Sequence, residues 1–442
     1  MTKRIVSLVL ALTLILTLAA CGGGSPPGGG TPDTPGGGST PGGNQGGANT
    51  PANAPTPAPR EHNPPPADLP ETPAEEFTYK YDAETQGVMI EKYNGTSLKI
   101  RIPDKIDGEP VTGVGREAFK GNGMMSVYLP NTLKVIGEAA FRGCEGLTGI
   151  VIPDSVTEIW GGAFADCKGL TSAAIGSGVT RMEFAERNGG GAFAGCTALT
   201  NVTIGNGVTV IGRGAFSRCA ELTSIVIPDS VTVIESGAFS STGLTSVTIP
   251  NSVTYLAGFS NTALTSIVIP DSVTSIGYMA FAGTALTSVT IPDSVTEIGV
   301  SAFNNCTTLT NVNIGNSVTE IGGSAFSDCT ALINVTIPDS VTVIGSNAFY
   351  RCTALTSVTI PDSVTVIDVQ TFFGCAALTS VTIGNGVTEI GMCAFYGCTA
   401  LTSVTIPNSV TRIWSDAFWG CTALDNATKQ RILEIEPRAS FD

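Results

Sequence analysis

The chain has 442 residues and is acidic, with 22 Lys and Arg against 37 Asp and Glu, so its net charge is −15 at pH 7. An acidic chain repels phosphate backbones, and this argues against nucleic acid as a partner. Its one histidine is His62. Several domains would fit this length, but a repeat that starts near residue 112 predicts one long body instead.

The first twenty residues have the features of an export signal. Lys3 and Arg4 precede an apolar run at 5–18 that is too short to span a bilayer comfortably. The run ends in Leu-Ala-Ala-Cys at 18–21, which resembles the lipobox of bacterial lipoproteins. The resemblance implies a signal peptide over 1–20 and a lipid on Cys21. The alternative is an ordinary signal peptide with a chance cysteine.

Residues 21–76 comprise this cysteine and a linker. The linker consists largely of Gly, Pro, Thr, Ala and Asn and has almost no aliphatic side chains. Such a composition cannot bury enough apolar area to offset chain entropy, so it predicts a disordered tether. The Pro-rich part from Thr50 to Pro73 is expected to be stiffer than the Gly-rich part before it.

One motif recurs from Thr112 to Leu424, and the Phe of its Ala-Phe pair marks the register. This Phe recurs at 119, 141, 164, 193, 216, 239, 259, 281, 303, 326, 349, 372, 395 and 418. Eight of the thirteen spacings are 23 residues, three are 22, one is 20 and one is 29. A fixed period of this length predicts a repeat solenoid, in which each unit buries its apolar face against its neighbours.

The repeat that starts at Leu332 illustrates the predicted unit, with positions counted from that leucine. Residues 332–337 predict one short strand, because the stretch is rich in β-branched residues and is followed by Pro. Val335 and Ile337 are expected to point inward. Strands that all run the same way form a parallel sheet. The Ala-Phe-x-x-Cys segment predicts a short helical or irregular turn on the opposite side.

The motif L-x-x-V-x-I-P-x-S-V-x-x-I-G-x-x-A-F-x-x-C resembles the BspA-like leucine-rich repeats of bacterial surface proteins. The resemblance covers about residues 77–424 and implies a leucine-rich repeat fold and an adhesive function. Residues 77–111 resemble the start of that family, and their alternating pattern predicts an N-terminal cap with a hairpin. Residues 112–424 form the array. Residues 425–442 predict a C-terminal cap, with a short helix from Asp425 to Glu436.

The array has two kinds of irregularity. Six extra residues between Phe164 and Phe193, around 183–189, predict a loop that bulges from one turn. In three middle repeats Cys-x-x-Leu becomes Thr-x-Leu, at Thr242, Thr262 and Thr284. The substitution coincides each time with a one-residue deletion, so these turns are expected to close differently.

Ten cysteines share one repeat position, at 144, 167, 196, 219, 306, 329, 352, 375, 398 and 421. Neighbouring repeats would place them within the range that a disulfide needs, but a stack of small buried thiols is the favoured interpretation. Cys393 lies outside this row, in a turn, and is expected to be a partly exposed thiol.

A row of Asp and Asn occupies the eighth position of most repeats, for example Asp154, Asp293 and Asp362. A row of carboxylates suggests calcium. Because Asp and Asn are mixed and no second acidic row accompanies them, turns that cap local backbone groups are favoured. No metal or other cofactor is predicted.

The outward strand positions are mostly Thr, Ser and Asn from Thr148 onward, and they carry no carboxylate, His, Lys or Arg. Acid–base catalysis needs a titratable group, and a Ser or Thr nucleophile needs an adjacent base. The sequence therefore predicts that the protein is not an enzyme.

The nineteenth position follows the buried Phe and is expected to face outward. It is small or polar in early repeats but aromatic in the last four, at Tyr350, Phe373, Tyr396 and Trp419. These four side chains are called the aromatic stripe below. Exposed aromatic rows often mark contact sites, although the rings could also simply pack on one another.

These features together predict an exported protein at the cell surface that a lipid anchors to the membrane and that binds extracellular proteins. A glycan-binding module that uses the aromatic stripe is the alternative. Binding to ice or a crystal surface through the threonine array is a third, disfavoured hypothesis. The lipid anchor is the only membrane association expected, and nucleic acid is not expected as a partner.

Overall fold

The computed structural model describes residues 69–182 and 190–442. The predicted signal peptide, the lipidation site Cys21, the linker as far as residue 68 and the inserted loop at 183–189 lie outside these residues. The last residues of the predicted linker, 69–76, are described, and Thr72 N donates to Arg101 O at 2.9 Å. Within the two described ranges, no helix is both long and apolar enough to cross a membrane.

The array begins with the hairpin that the sequence predicts. A 3₁₀ turn at Ala74–Glu76 leads into strands β1 (Phe77–Asp82) and β2 (Gly87–Tyr93), which pair antiparallel. Three strands follow, at β3 (Lys99–Arg101), β4 (Lys105–Ile106) and β5 (Glu109–Val114). Because β2 also pairs with β5 in parallel, the hairpin is continuous with the array.

The remaining elements are short and recur along the chain. The strands are β6 Ser126–Tyr128, β7 Val135–Ile136, β8 Gly149–Ile152, β9 Glu158–Ile159, β10 Ser172–Ile175, β11 Arg181–Met182, β12 Asn201–Ile204, β13 Val210–Ile211, β14 Val233–Ile234, β15 Tyr255–Leu256, β16 Ser275–Ile276, β17 Ser288–Thr290, β18 Glu297–Ile298, β19 Asn311–Asn313, β20 Glu320–Ile321, β21 Asn334–Thr336, β22 Val343–Ile344, β23 Ser357–Ile360, β24 Val366–Ile367, β25 Ser380–Ile383, β26 Glu389–Ile390, β27 Ser403–Thr405 and β28 Arg412–Ile413. Helix α1, Asn426–Ile435, ends the chain's regular structure.

The predicted parallel strands are confirmed and are called the first ladder. They form a sheet of β8, β10 and β12 and a second sheet of β17, β19, β21, β23, β25 and β27. Neighbours pair residue for residue, as Val358 pairs with Val381. Val335 and Ile337 are buried as expected.

Each repeat also contributes a two-residue strand that the sequence did not predict. These strands form the second ladder, which starts at the hairpin and continues through β5, β7, β9 and onward to β22, with β24, β26 and β28 as a further sheet. Its repeating unit places Val341 and Ile344 inside and leaves Thr342 and Val343 outside. Two outward residues in succession do not show the alternation that identifies a strand.

The Ala-Phe segments form a third edge of successive hydrogen-bonded turns, with no helix in the described part of the array. Phe326 N donates to Ala348 O of the next repeat at 2.8 Å. The rings of this position form one continuous buried stack from Phe119 to Phe418, with neighbouring centroids 4.9–5.9 Å apart. The edge therefore joins repeats through both backbone and side chains.

The cysteine row is buried and unpaired, as predicted. Each thiol donates to the carbonyl of the Phe in the preceding repeat, as Cys329 does to Phe303 at 3.1 Å. The position thus requires a small buried donor that links two repeats. The prediction for Cys393 is wrong, because its side chain is fully buried and its Sγ lies 3.3 Å from Asp416 Oδ2.

The first ladder is interrupted in the middle of the array. Segments 223–227, 245–249 and 265–269 are not strands, although the second ladder continues beside them through β14, β15 and β16. Thr242, Thr262 and Thr284 each donate to the Phe carbonyl of their own repeat at 2.8 Å rather than to that of the preceding repeat. These three turns therefore close differently, as expected, and each lacks the hydrogen bond to the Phe carbonyl of the preceding repeat.

The C-terminal helix is present as predicted. Asp425 is its N-cap, and the carboxylate accepts a hydrogen bond from Thr428 N at 2.6 Å. This interaction lowers the pKa of Asp425, because the backbone donor stabilises the charged form. Ile432 is fully buried, so the helix covers the last repeat with an apolar residue.

Candidate functional surfaces

On the first-ladder face, the threonine hydroxyl groups at the second repeat position are engaged in the fold. Thr310 and Thr379, at the second repeat position, donate to the backbone carbonyls of Thr287 and Thr356 at 2.9 and 3.0 Å. Thr342, in the second ladder, donates in the same way to Thr319 O at 3.2 Å. Threonine at these positions therefore links repeats, and its hydroxyl there offers a ligand acceptor sites only.

The Asp row likewise joins repeats. Asp154, Asp293 and Asp362 each accept a hydrogen bond from the backbone amide of the equivalent residue in the next repeat, at 2.6–2.7 Å. The sequence favours caps of local backbone groups, whereas these three carboxylates bond to an amide 23 residues later in the chain. Across residues 69–182 and 190–442, no group of three or more His, Cys, Asp or Glu is placed to hold a metal ion.

Two of the buried thiols, Cys219 and Cys375, are poorly suited to chemistry. Burial raises the pKa of Cys219 to about 12 and does the same for Cys375. The thiolate is the reactive form of cysteine, so both groups are unreactive at neutral pH. Their role is in packing and in the hydrogen bond to the preceding repeat.

The structure brings the four residues of the aromatic stripe together as one stack. Ring centroids are 4.9 Å apart between Tyr350 and Phe373, 4.7 Å between Phe373 and Tyr396, and 4.5 Å between Tyr396 and Trp419. Only Trp419 is exposed, at 40%, while the other three are half-buried. The expectation that this position simply faces outward is too strong, since Ala165 and Ala194 are buried there.

The stacking determines which part of each ring a partner could reach. The faces of Phe373 and Tyr396 are covered by neighbouring rings on both sides. At one end of the stack, the Arg351 guanidinium lies 5.4 Å from the centroid of Tyr350. The two inner rings, Phe373 and Tyr396, therefore present edges rather than flat faces, and these edges suit packing against protein side chains better than stacking against a sugar.

A cleft that the sequence did not predict lies between the hairpin and the first repeats. It encloses about 630 Å³. The lining comes from β1, β2, the end of β5, β7 and β9 and includes eight charged residues, Met89 and Trp160. A hydrogen bond to Glu91 raises the pKa of Lys80, and hydrogen bonds from Thr85 lower that of Asp82, so both groups are charged at neutral pH.

Sequence reasoning missed this cleft because its residues come from the irregular start of the chain. The available signal was Trp160, which occupies a repeat position that is commonly Gly, as at Gly115 and Gly137. Trp414 occupies the same position near the other end of the array. A bulky aromatic residue at a glycine position indicates a local requirement that the repeat itself does not impose.

Parallel ladders, a continuous phenylalanine stack and a long surface of ordered side chains define this protein as a leucine-rich repeat solenoid. The family description "BspA type Leucine rich repeat region (6 copies)" matches residues 112–186, 185–273, 257–378 and 342–439. The chain belongs to this family.

Two solved structures illustrate the similarity. A leucine-rich repeat protein from Bacteroides ovatus ATCC 8483 is 28% identical and covers 84% of this chain and 99% of its own, with a TM-score of 0.55. A leucine rich cell surface protein from Faecalibacterium prausnitzii A2-165 is 27% identical and covers 85% of this chain and 99% of its own, with a TM-score of 0.44. No curated protein matches the chain.

Proposed function

We propose that the protein is an exported, lipid-anchored bacterial surface protein that attaches to extracellular proteins through the aromatic stripe. The single observation that carries this proposal is the stack of Tyr350, Phe373, Tyr396 and Trp419. The repeat fold does not require it, because the same position holds alanine or serine in earlier repeats. Aromatic residues dominate the energetics of many protein interfaces.

The family supports the general class of function. BspA-type repeats are typical of bacterial surface proteins. Leucine-rich repeat solenoids are typically binding modules rather than enzymes. The signal-like segment 1–20 and Cys21 support export and lipidation on sequence grounds alone. The linker between Cys21 and the hairpin would serve as the tether between membrane and array.

Glycan binding by the stripe is the weaker candidate. Sugar platforms use a ring face, and the inner faces of this stack are occupied by neighbouring rings. Protein partners need only ring edges and adjacent apolar area. The geometry therefore favours a protein over a glycan as the partner of the stripe.

A binding screen tests the proposal. Purified protein is applied to immobilised extracellular-matrix proteins and to a glycan panel, at physiological salt and again with added salt. We expect saturable binding to at least one protein that survives the added salt, because salt screens charges but not apolar contacts. Binding to glycans alone, or binding that the added salt abolishes, would contradict the proposal.

A further inference from the structure

We infer that the cleft between the hairpin and the first repeats binds a neutral oligosaccharide, at a site separate from the aromatic stripe. Its volume of about 630 Å³ lies within the range of roughly 300–1,000 Å³ that is typical of small-ligand clefts.

Glycines at the floor of the cleft allow the backbones of neighbouring strands to approach one another closely. A Cβ on Gly115 would approach Ile90 O to 2.9 Å, and one on Gly137 would approach Val114 O to the same distance. A Cβ on Gly113 would collide with the side chain of Met89, which therefore lies across this glycine. The result is a shallow floor of backbone and thioether.

Trp160 forms one wall, at the repeat position where the two preceding units have Gly115 and Gly137. It is 36% exposed, and its Nε1 donates to Glu158 Oε2 at 3.1 Å. This hydrogen bond fixes the orientation of the indole. An oriented indole next to Met89 offers apolar surface to the C–H groups of a sugar ring, while the walls around it are polar.

The charged walls favour a neutral, hydroxyl-rich ligand. They comprise five carboxylates and three cations, namely Asp82, Glu84, Glu91, Glu138, Glu158, Lys80, Arg116 and Lys134. The five negative and three positive charges leave an excess of two negative charges, so an anionic saccharide is disfavoured.

Most of these charges already have partners within the protein. Lys80 pairs with Glu91 at 2.9 Å, and Arg116 lies 3.8 Å from Glu138. Lys134 Nζ donates to Thr85 O at 2.9 Å. A cationic peptide would have to displace these partners. Hydroxyl groups would instead use the carboxylate lone pairs and ammonium protons that remain, with both donors and acceptors held in place.

Tryptophan fluorescence gives a direct test, because the chain has three tryptophans. In a Trp414→Phe, Trp419→Phe background, Trp160 is the sole reporter. The probes are maltohexaose, cellohexaose, xylohexaose, mannohexaose and chitohexaose, with a heparin-derived hexasaccharide and hexalysine as charged comparisons. We expect saturable quenching by at least one neutral hexasaccharide and by neither charged probe.

Matched variants locate the binding by calorimetry in the otherwise native chain. Trp160→Ala should weaken it at least tenfold, whereas Trp414→Ala should leave it unchanged. The two indoles share a repeat position, similar exposure and a hydrogen bond to a glutamate. If Trp160→Ala does not fold, Glu158→Ala replaces it, with Glu389→Ala as control.

The inference is overturned if no neutral hexasaccharide binds, if hexalysine or the heparin fragment binds instead, or if the Trp160 and Glu158 variants retain full affinity. Failure here would leave the proposed protein binding by the stripe untouched. That proposal concerns residues 350–419 and is tested by measuring binding to protein partners.

Discussion

Removal of one ring from the phenylalanine stack should destabilise the array locally and strongly. Phe326 is fully buried, and its ring lies 5.3 Å from Phe303 and 5.5 Å from Phe349. Phe326→Ala removes a buried ring, which typically costs about 3–5 kcal/mol in the free energy of unfolding. At about 1.4 kcal/mol per tenfold, this raises the open population by roughly two to three and a half orders of magnitude.

The loss should stay near the substitution, because each repeat contacts only its neighbours. Hydrogen exchange measured by mass spectrometry should therefore speed up most in the repeats that contain Phe303, Phe326 and Phe349. Phe418→Ala is the matched control, since its ring is also buried but has only Phe395 as a stacking partner within the stack. Its effect should be smaller by about 0.5–1.5 kcal/mol, the usual value of one aromatic pair.

A uniform rise in exchange over all repeats after Phe326→Ala would contradict this prediction of a local effect, because it would indicate one global core. A loss of less than about 1 kcal/mol would also refute it, since that is below the typical range for a buried Phe→Ala change.

Four further predictions concern the ladders, the thiols and the anchor. The interrupted segments of the first ladder are 223–227, 245–249 and 265–269. In the native protein, their backbone amides should exchange faster than those of β19, β23 and β25. Equal protection would contradict the interruption. No thiol in the described ranges, Cys393 included, should react with an alkylating reagent before unfolding, and prompt labelling of Cys393 would show that it is accessible. Burial raises the pKa of Cys219 and Cys375 to about 12, whereas an unfolded thiol has a pKa of about 8.5. Chemical denaturation should therefore show that their contribution to the free energy of unfolding is intact below pH 8 and declines as pH rises toward 12. Cys21→Ser should release the protein from the membrane fraction, and equal retention of wild type and variant would argue against lipidation.

The solenoid and the first ladder could be predicted because the same apolar positions recur at a fixed period. Val335 and Ile337 alternate along a strand, and Phe326 and its equivalents mark every unit. The second ladder escaped prediction because a two-residue strand has no alternation of its own. It exists because the backbones of stacked repeats come close enough for hydrogen bonds.

Cys393 shows why a single turn residue is hard to place from sequence. Its backbone has a positive φ of 54°, as expected in a turn. Its side chain nevertheless lies beside Asp416, 23 residues later in the next repeat. Its burial therefore depends on the stacking of repeats, and nothing local to residues 390–396 indicates it.

The aromatic stripe and the cleft also differ in how much of each can be predicted from the sequence. The composition of the aromatic stripe was readable from the repeat, but the ring stacking that covers its faces depends on the spacing between repeats. The cleft combines Lys80, Met89, Lys134 and Trp160, which are distant in sequence. Only the pairing of β1, β2, β5, β7 and β9 brings them together.

The stacking also changes what substitution of the stripe should do to stability. Three stacked pairs are lost when all four residues become serine, at about 0.5–1.5 kcal/mol per pair. The stripe therefore contributes to folding as well as to any contact, so thermal unfolding alone cannot separate a binding role from a packing role.

The most direct measurement is the affinity of the folded quadruple variant for a protein partner from the screen. Tyr350, Phe373, Tyr396 and Trp419 are replaced with Ser, and binding is measured well below the variant's melting temperature. The control replaces four exposed apolar residues outside the stripe with Ser, namely Tyr278, Val300, Val343 and Val366. We expect the stripe variant to lose binding and the control to keep it. Full binding by the folded stripe variant would contradict protein binding through the aromatic stripe and would move the contact to the threonine-rich face of the first ladder.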